Sequence, residues 1–328
     1  MAFYNKTAGV LMKKIFGYLS LISLATVFAV SCTALKSTGN SVGRSVGSVF
    51  KTPAKVENKI TNPARNDAHL SVLWIGHASV LIQIDDKFIL TDPVFSETVA
   101  MLSKRLVEPG IEPENLPPID VALISHMHVD HLSFGSLEMI EDKIERLVVP
   151  ENGLQYIPNF NFKLFELKRD SSINFDGLKI TSAPAVHNGW RYGFDALFGN
   201  KSYTAYVIDY RGIRVYFGGD TAYDSTLFKK TGERFPGIDL ALLPIAPIHP
   251  REYSKAHHAG PAEALKIFED LRAEKFIPIH YDTFPESYDT LGEAPLLLKK
   301  LTEEKNISEN RVVFLKIGEQ KVIIPKEK

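Results

Sequence analysis

The stretch that most constrains this chain is Ile119-Asp120-Val121-Ala122-Leu123-Ile124-Ser125-His126-Met127-His128-Val129-Asp130-His131-Leu132, an apolar run that ends in three histidines and an aspartate. Residues 121–124 are short and apolar and follow the turn-like Leu116-Pro117-Pro118, which favours a strand in a covered sheet over a helix. His126 and His128 lie two residues apart, so in extended backbone their imidazoles point to one side, while Asp130 and His131 can turn toward a neighbouring point. One six-residue segment could therefore serve two metal ions. Imidazole nitrogen and carboxylate oxygen suit Zn²⁺, and four such side chains packed together without a cation would leave polar groups unsatisfied. The alternative is a solvated polar loop.

From Leu70 onward the chain reads as short β-rich segments: 71–77, 79–84 and 88–93 as a meander, then the strand just described. Residues 134–146 have helical composition, and 147–150 form a strand closed by proline. Further strands are expected at 162–166, 178–183, 203–210, 213–217, 240–245, 276–280, 311–316 and 321–324, with a hairpin at Arg211-Gly212 and a helix opening at Pro261. Four segments place a His or Asp at a strand end: His126, His187, Asp220 and His280. In stacked sheets with helices outside, strand ends on one edge converge, so these groups can meet. The two glycines before Asp220 let the backbone pass close to a crowded centre. The loop after His187 holds Trp190 and Phe194, aromatics between glycines that can either face a substrate or cap the core.

The 328-residue length allows one large α/β sandwich or two domains. With 38 basic and 39 acidic side chains there is no charge excess to recruit nucleic acid. The N-terminus differs from the rest. Lys6, Lys13 and Lys14 precede an apolar segment, 15–31, that ends at Cys32, the only cysteine. This has the form of a secretory signal over residues 1–31. Ala29-Val30-Ser31-Cys32 resembles a lipobox, implying lipidation of Cys32 and a membrane-anchored protein of the bacterial envelope; an ordinary cleaved signal and an uncleaved anchor are the alternatives. Residues 32–67, rich in Ser, Gly, Asn and Lys, are expected to form a flexible tether, and 68–328 the folded domain. A single cysteine excludes an internal disulfide and a CxxC site. The oligomeric state is left open.

The ordered set His126-x-His128-x-Asp130-His131, His187, Asp220 and His280 resembles the metallo-β-lactamase superfamily. Trp74-Ile75-Gly76-His77-Ala78-Ser79, Thr91-Asp92-Pro93-Val94-Phe95, Gly218-Gly219-Asp220-Thr221, His258-Ala259-Gly260-Pro261 and Ile279-His280-Tyr281-Asp282-Thr283-Phe284 resemble its branch of N-acyl-phosphatidylethanolamine-hydrolysing phospholipases D. The resemblance implies an αββα four-layer sandwich and two zinc ions per chain, with iron or manganese also acceptable to such donors. Carried over, His126, His128 and His187 would hold one metal, Asp130, His131 and His280 the other, and Asp220 would bridge them. Asp130 and Asp220 would thereby belong to the catalytic centre, and His258 would stabilise or protonate the leaving oxygen. His77 and Asp92 are expected to orient ligands rather than ligate. His257 has no role on this reading, and His69 and His249 read as ordinary surface or loop histidines.

The expected function is metal-dependent cleavage of a phosphodiester, with a lipid substrate reachable from a membrane anchor. The rivals are a lactonase or general esterase of the same fold, and a surface-anchored binding protein without activity.

Overall fold

A computed structural model of the protein describes residues 45, 47–99, 103–193, 195, 197, 202–285 and 287–327. The signal-like segment, Cys32 and Phe194 lie outside the described residues. In chain order the strands are β1 (Ala68–Gly76), β2 (Ser79–Ile84), β3 (Lys87–Thr91), the two-residue pair β4 (Thr98–Val99) and β5 (Ser103–Lys104), β6 (Val121–Leu123), β7 (Arg146–Pro150), β8 (Lys163–Leu167), β9 (Ser172–Phe175), β10 (Leu178–Ala183), β11 (Ala205–Tyr210), β12 (Ile213–Phe217), β13 (Leu240–Pro244), β14 (Lys275–Ile279) and β15 (Gln320–Pro325).

They form two mixed sheets, ordered β15-β1-β2-β3-β6-β7-β8 and β14-β13-β12-β11-β10-β9. Tight hairpins keep β1 to β3, β9 with β10 and β11 with β12 antiparallel, while β10 and β11 pair antiparallel across the long connection 184–204 that carries His187. The longer crossovers make β3, β6, β7 and β8 parallel, and likewise β12, β13 and β14. At the β11–β12 turn Arg211 and Gly212 have φ of 52° and 82°, the two positive values a type I′ hairpin needs.

Side-chain alternation decides the layering. Leu70, Val72 and Trp74 of β1, Val80 and Ile82 of β2, and Val121 and Leu123 of β6 face the second sheet and share a core with Ile208 and Val215. Their neighbours Leu73, Ile75, Leu81, Ala122 and Ile124 face outward, under Leu137 of the helix Phe134–Met139. The outer side of the second sheet is covered by Phe228 of the helix Ser225–Arg234 and by Leu265 and Phe268 of the helix Pro261–Leu271. The result is the expected helix–sheet–sheet–helix sandwich. Each buried Leu, Ile or Val contributes about 2 kcal/mol, so a one-residue slip of β1 would exchange its two buried faces and cost several such contributions.

Three expectations are corrected. Residues 47–67 are not a free tether: Ala54 pairs with Val107, Lys59 binds Glu108 and Glu112 at 3.1 and 2.7 Å, and Pro63 accepts from Gln320 at 2.6 Å. An irregular Ser/Gly/Pro backbone still has to satisfy its N–H and C=O groups, and here the domain surface supplies partners. The helix expected over 134–146 ends at Met139 and gives way to a 3-10 turn, Glu141–Lys143, because Arg146 already begins β7. Residues 311–316 make one bridge, Val312 to Phe276, rather than a strand.

Candidate metal centre

The chosen residues sit just beyond strand ends on one edge of the sandwich. His126 follows β6, His187 follows β10, Asp220 follows β12 and His280 follows β14. The second sheet grips the His126 loop: Thr204 donates to Ser125 O at 2.9 Å, and Tyr206 Oη to Ile124 O at 2.8 Å. His77, Asp92 and His280 all have positive φ, at 54°, 33° and 61°. For side-chain-bearing residues this is costly backbone, and such strain gathers at functional sites because the surroundings over-determine it. Gly219, φ 55°, passes so near Ser125 that a Cβ would lie 2.4 Å from that residue's Cβ.

Hydrogen bonds determine which nitrogen of each histidine faces inward. Asp92 is fully buried and accepts from Ser125 N and Ser125 Oγ, both at 2.6 Å, and lies 2.7 Å from His131 Nδ1. Ser125 has given its proton to Asp92, so its oxygen accepts from His126 Nδ1 at 3.0 Å. His187 Nδ1 donates to His257 O at 2.9 Å. In all three the Nδ1 position carries a proton and Nε2 faces inward, in His126 and His187 toward His128 and in His131 toward His280, as metal-ligating histidines require.

Those lone pairs crowd together. His128 Nδ1 is 2.8 Å from His126 Nε2 and 3.4 Å from His187 Nε2. On the other side His131 Nε2 lies 3.1 Å from His280 Nε2 and 3.5 Å from Asp130 Oδ2, which also meets His77 Nε2 at 3.0 Å. Asp220 stands between the groups: Oδ2 is 4.0, 3.5 and 3.9 Å from His126, His131 and His187, and Oδ1 is 3.0 Å from His280. Ligands about 2.1 Å from a tetrahedral ion are about 3.4 Å apart, so these separations fit donors around shared cations. Asp220 Oδ1 is also a buried oxygen without a hydrogen bond, as an atom aimed at a cation would be. The residues fit a His/Asp metal site.

Electrostatics point the same way. Burial holds His126 and His187 well below the usual histidine range, in His187 against the pull of Asp220. Burial also acts to lower His131, but Asp220, Asp130 and Asp92 outweigh it and raise His131 well above its ordinary value. Burial would raise Asp220, yet His280 and His131 hold its carboxyl well below the carboxylate range. Asp130 is likewise depressed, burial being overcome by His131 and His77. Asp92 is pushed up by burial, with His131 and Ser125 opposing. The depressed carboxylates Asp130 and Asp220, set beside His126 and His187 that burial keeps neutral, call for positive charge at the centre.

Around this core, His258 Nδ1 is 3.4 Å from Asp220 Oδ2; burial, helped by His280 and His128 against Asp220, brings its pKa down to about 4. Trp190 is half-buried, its ring 4.5 Å from that of His128. His69 and His249 lie elsewhere, paired with Asp85 and Glu293 at 2.6 and 2.9 Å. Two functional contributions escaped sequence reasoning. The His257 carbonyl orients His187, and a backbone oxygen leaves no trace in residue type. Arg191, half-buried, donates to Met127 O and Leu132 O at 3.0 and 2.8 Å and so ties down both ends of the histidine loop. Its position one residue after Trp190 was the available signal. A cavity of about 420 Å³ opens beside the centre, lined by His77, His280 and the apolar Leu106, Ala246, Phe284 and Leu291.

Comparison with known proteins agrees with this geometry. Residues 87–281 match the β-lactamase superfamily domain. The chain is 30% identical over 253 residues to N-acyl-phosphatidylethanolamine-hydrolyzing phospholipase D 1 of Caenorhabditis elegans, covering 72% of this chain and 70% of that protein. It is also 30% identical over 252 residues to a UPF0173 metal-dependent hydrolase of Thermococcus onnurineus, covering 76% and 98%. A metallo hydrolase from the archaeon Ignicoccus hospitalis shares the fold, with a TM-score of 0.56 at 22% identity over 77% of this chain and 97% of that one.

Proposed function

This chain belongs to the metallo-β-lactamase superfamily and is a metal-dependent hydrolase of that fold, and from this premise we propose that it cleaves a phosphodiester of a phospholipid-type substrate at a two-zinc centre. The observation that carries the two-metal reading is Asp220, whose carboxylate lies between the histidine groups: Oδ2 is 4.0 and 3.9 Å from His126 and His187 and 3.5 Å from His131, and Oδ1 is 3.0 Å from His280. When bound, the metal pair supplies Lewis-acid polarisation and lowers the pKa of a water. The protein then contributes position and charge. His126, His128 and His187 define one metal position, and Asp130, His131 and His280 the other. Asp92 and the His257 carbonyl hold His131 and His187 in the ligating tautomer. His258, neutral at pH 7 by its depressed pKa, offers an imidazole beside Asp220 as a hydrogen-bond partner for the leaving oxygen rather than as a standing acid.

One thing supports a lipid ester over a lactam or lactone: the relative named as an N-acyl-phosphatidylethanolamine-hydrolysing phospholipase D; the cavity beside the centre, of mixed polar and apolar lining, gives such a substrate room. The signal-like residues 1–31 and Cys32 support export and attachment to a bacterial membrane. The test compares initial rates on bis-p-nitrophenyl phosphate, N-acyl-phosphatidylethanolamine vesicles and an acyl lactone, for wild type and His128→Ala. Diester turnover abolished by the substitution is expected. Lactone turnover without diester turnover would replace this reading by the lactonase one.

A further inference from the structure

Arg105 follows β5 and is buried to 2% exposure, yet none of its guanidinium nitrogens has a hydrogen-bond partner. A buried cation with five unused N–H donors is expensive unless something comes to meet it. Glu108, the carboxylate that acts on its charge, is itself bound to Lys59 at 3.1 Å. The visible company of the guanidinium is the Phe284 ring, 5.4 Å away, whose centroid lies 5.3 Å from His77 in edge-on contact. Phe284 therefore separates Arg105 from the metal centre by one ring.

On one side the guanidinium meets a glycine rather than a side chain. Gly76 has φ +124°, and a Cβ there would fall 3.4 Å from Thr283 Oγ1 and 3.6 Å from Arg105 Nη2. Any side chain at position 76 would fill that gap. The cavity beside the centre is lined by His77, Leu106, Thr283 and Phe284, and Arg105 stands covered behind this lining, next to Leu106 in sequence and to Phe284 in space.

We propose that Arg105 is the receptor of a phosphate-class oxyanion subsite next to the metal centre, approached past Gly76 and Thr283. A guanidinium fork matches two oxygens of a phosphate group, and the bound anion would supply the charge and acceptors that the fold withholds. The anion is either an acidic group of the substrate other than the one cleaved or free phosphate. The first source rests on the phosphodiester reading above, while the subsite itself does not.

The experiment titrates the zinc-loaded full chain with inorganic phosphate in a calorimeter, for wild type, Arg105→Met and Arg105→Lys, and records thermal midpoints without phosphate. Losing hydrogen bonds to a charged group should weaken phosphate binding about tenfold or more in Arg105→Met, with Arg105→Lys between. The midpoint of Arg105→Met should hold or rise, because an uncompensated buried charge has been replaced by an apolar chain. Unchanged phosphate affinity in both variants overturns the proposal, as does a lowered midpoint with affinity retained. If Arg105→Met does not fold, Arg105→Lys alone decides by its phosphate affinity. The source is read from KM: a rise confined to phosphodiesters carrying a second phosphate group assigns the subsite to substrate, and no rise in either assigns it to free phosphate. Phosphate binding that depends on Arg105 in a protein without diesterase activity leaves the subsite standing and removes only the substrate class.

Discussion

Replacing Asp92 by Asn tests the tautomer argument directly, because the substitution keeps size and removes one acceptor. Asp92 accepts Ser125 N on Oδ1 and meets Ser125 Oγ and His131 Nδ1 on Oδ2, at 2.6, 2.6 and 2.7 Å, in a fully buried position. An asparagine can serve one side only. With its amide nitrogen toward His131, two donors face each other, and the imidazole is driven to the tautomer whose Nε2 carries the proton. That nitrogen, 3.1 Å from His280 and 3.5 Å from Asp220, then presents a hydrogen to the metal position instead of a lone pair. With the amide reversed, Ser125 N loses its acceptor, and the Ser125–His126 contact that sets the second tautomer is disturbed. Loss of such a partner costs about 10- to 100-fold in metal affinity, or about 1.4 to 2.7 kcal/mol. Competition with a chromogenic chelator measures it, alongside activity at saturating zinc. Zinc affinity equal to wild type, with only the melting temperature lowered, would refute the reasoning and leave Asp92 as a packing residue.

Further outcomes follow from the same geometry. On the two-zinc reading, Asp220→Asn should lower bound zinc from about two per chain toward one, read by elemental analysis after dialysis, since the Asp220 carboxylate lies within 4.0 Å of both histidine groups. Arg191→Met removes donors to Met127 O and Leu132 O and a cation–π contact on Phe134 at 4.0 Å, so the metal loop should loosen. We expect zinc affinity to fall about tenfold, with partial rescue by Arg191→Lys, since charged hydrogen bonds contribute about 1.5 to 3 kcal/mol. Gly219→Ala meets Ser125 at 2.4 Å in a left-handed backbone and should lose activity and about 2 kcal/mol or more of stability in denaturant melts. Normal stability in that variant would contradict the close approach.

Much of the β-sandwich was legible because period-two alternation is a local pattern. Leu70, Val72 and Trp74 against Leu73 and Ile75 announce two covered faces before any partner strand is known. Element ends were less legible. The helix from Phe134 stops at Met139 because Arg146 is claimed by β7, a competition decided by sheet pairing rather than by propensity. The stretch 47–67 looked like a tether because its composition lacks a core pattern, and its anchors, Gln320, Glu108 and Gln83, lie far along the chain.

The sequence by itself marked out the candidate donors: His126, His128, Asp130 and His131 in one segment, with His187, Asp220 and His280 each just past a strand. Ligand chemistry and strand termini are properties of short runs of residues, so they can be read in one dimension. Only the tertiary structure decided that Asp220 stands between two histidine groups, and that Ser125, Asp92 and the His257 carbonyl choose which ring nitrogens face inward. The same holds for Arg105, buried beside the centre with no partner. These are statements about which atoms meet across long sequence separations, and hydrogen-bond direction, burial and charge neighbourhood exist only once the chain has closed on itself.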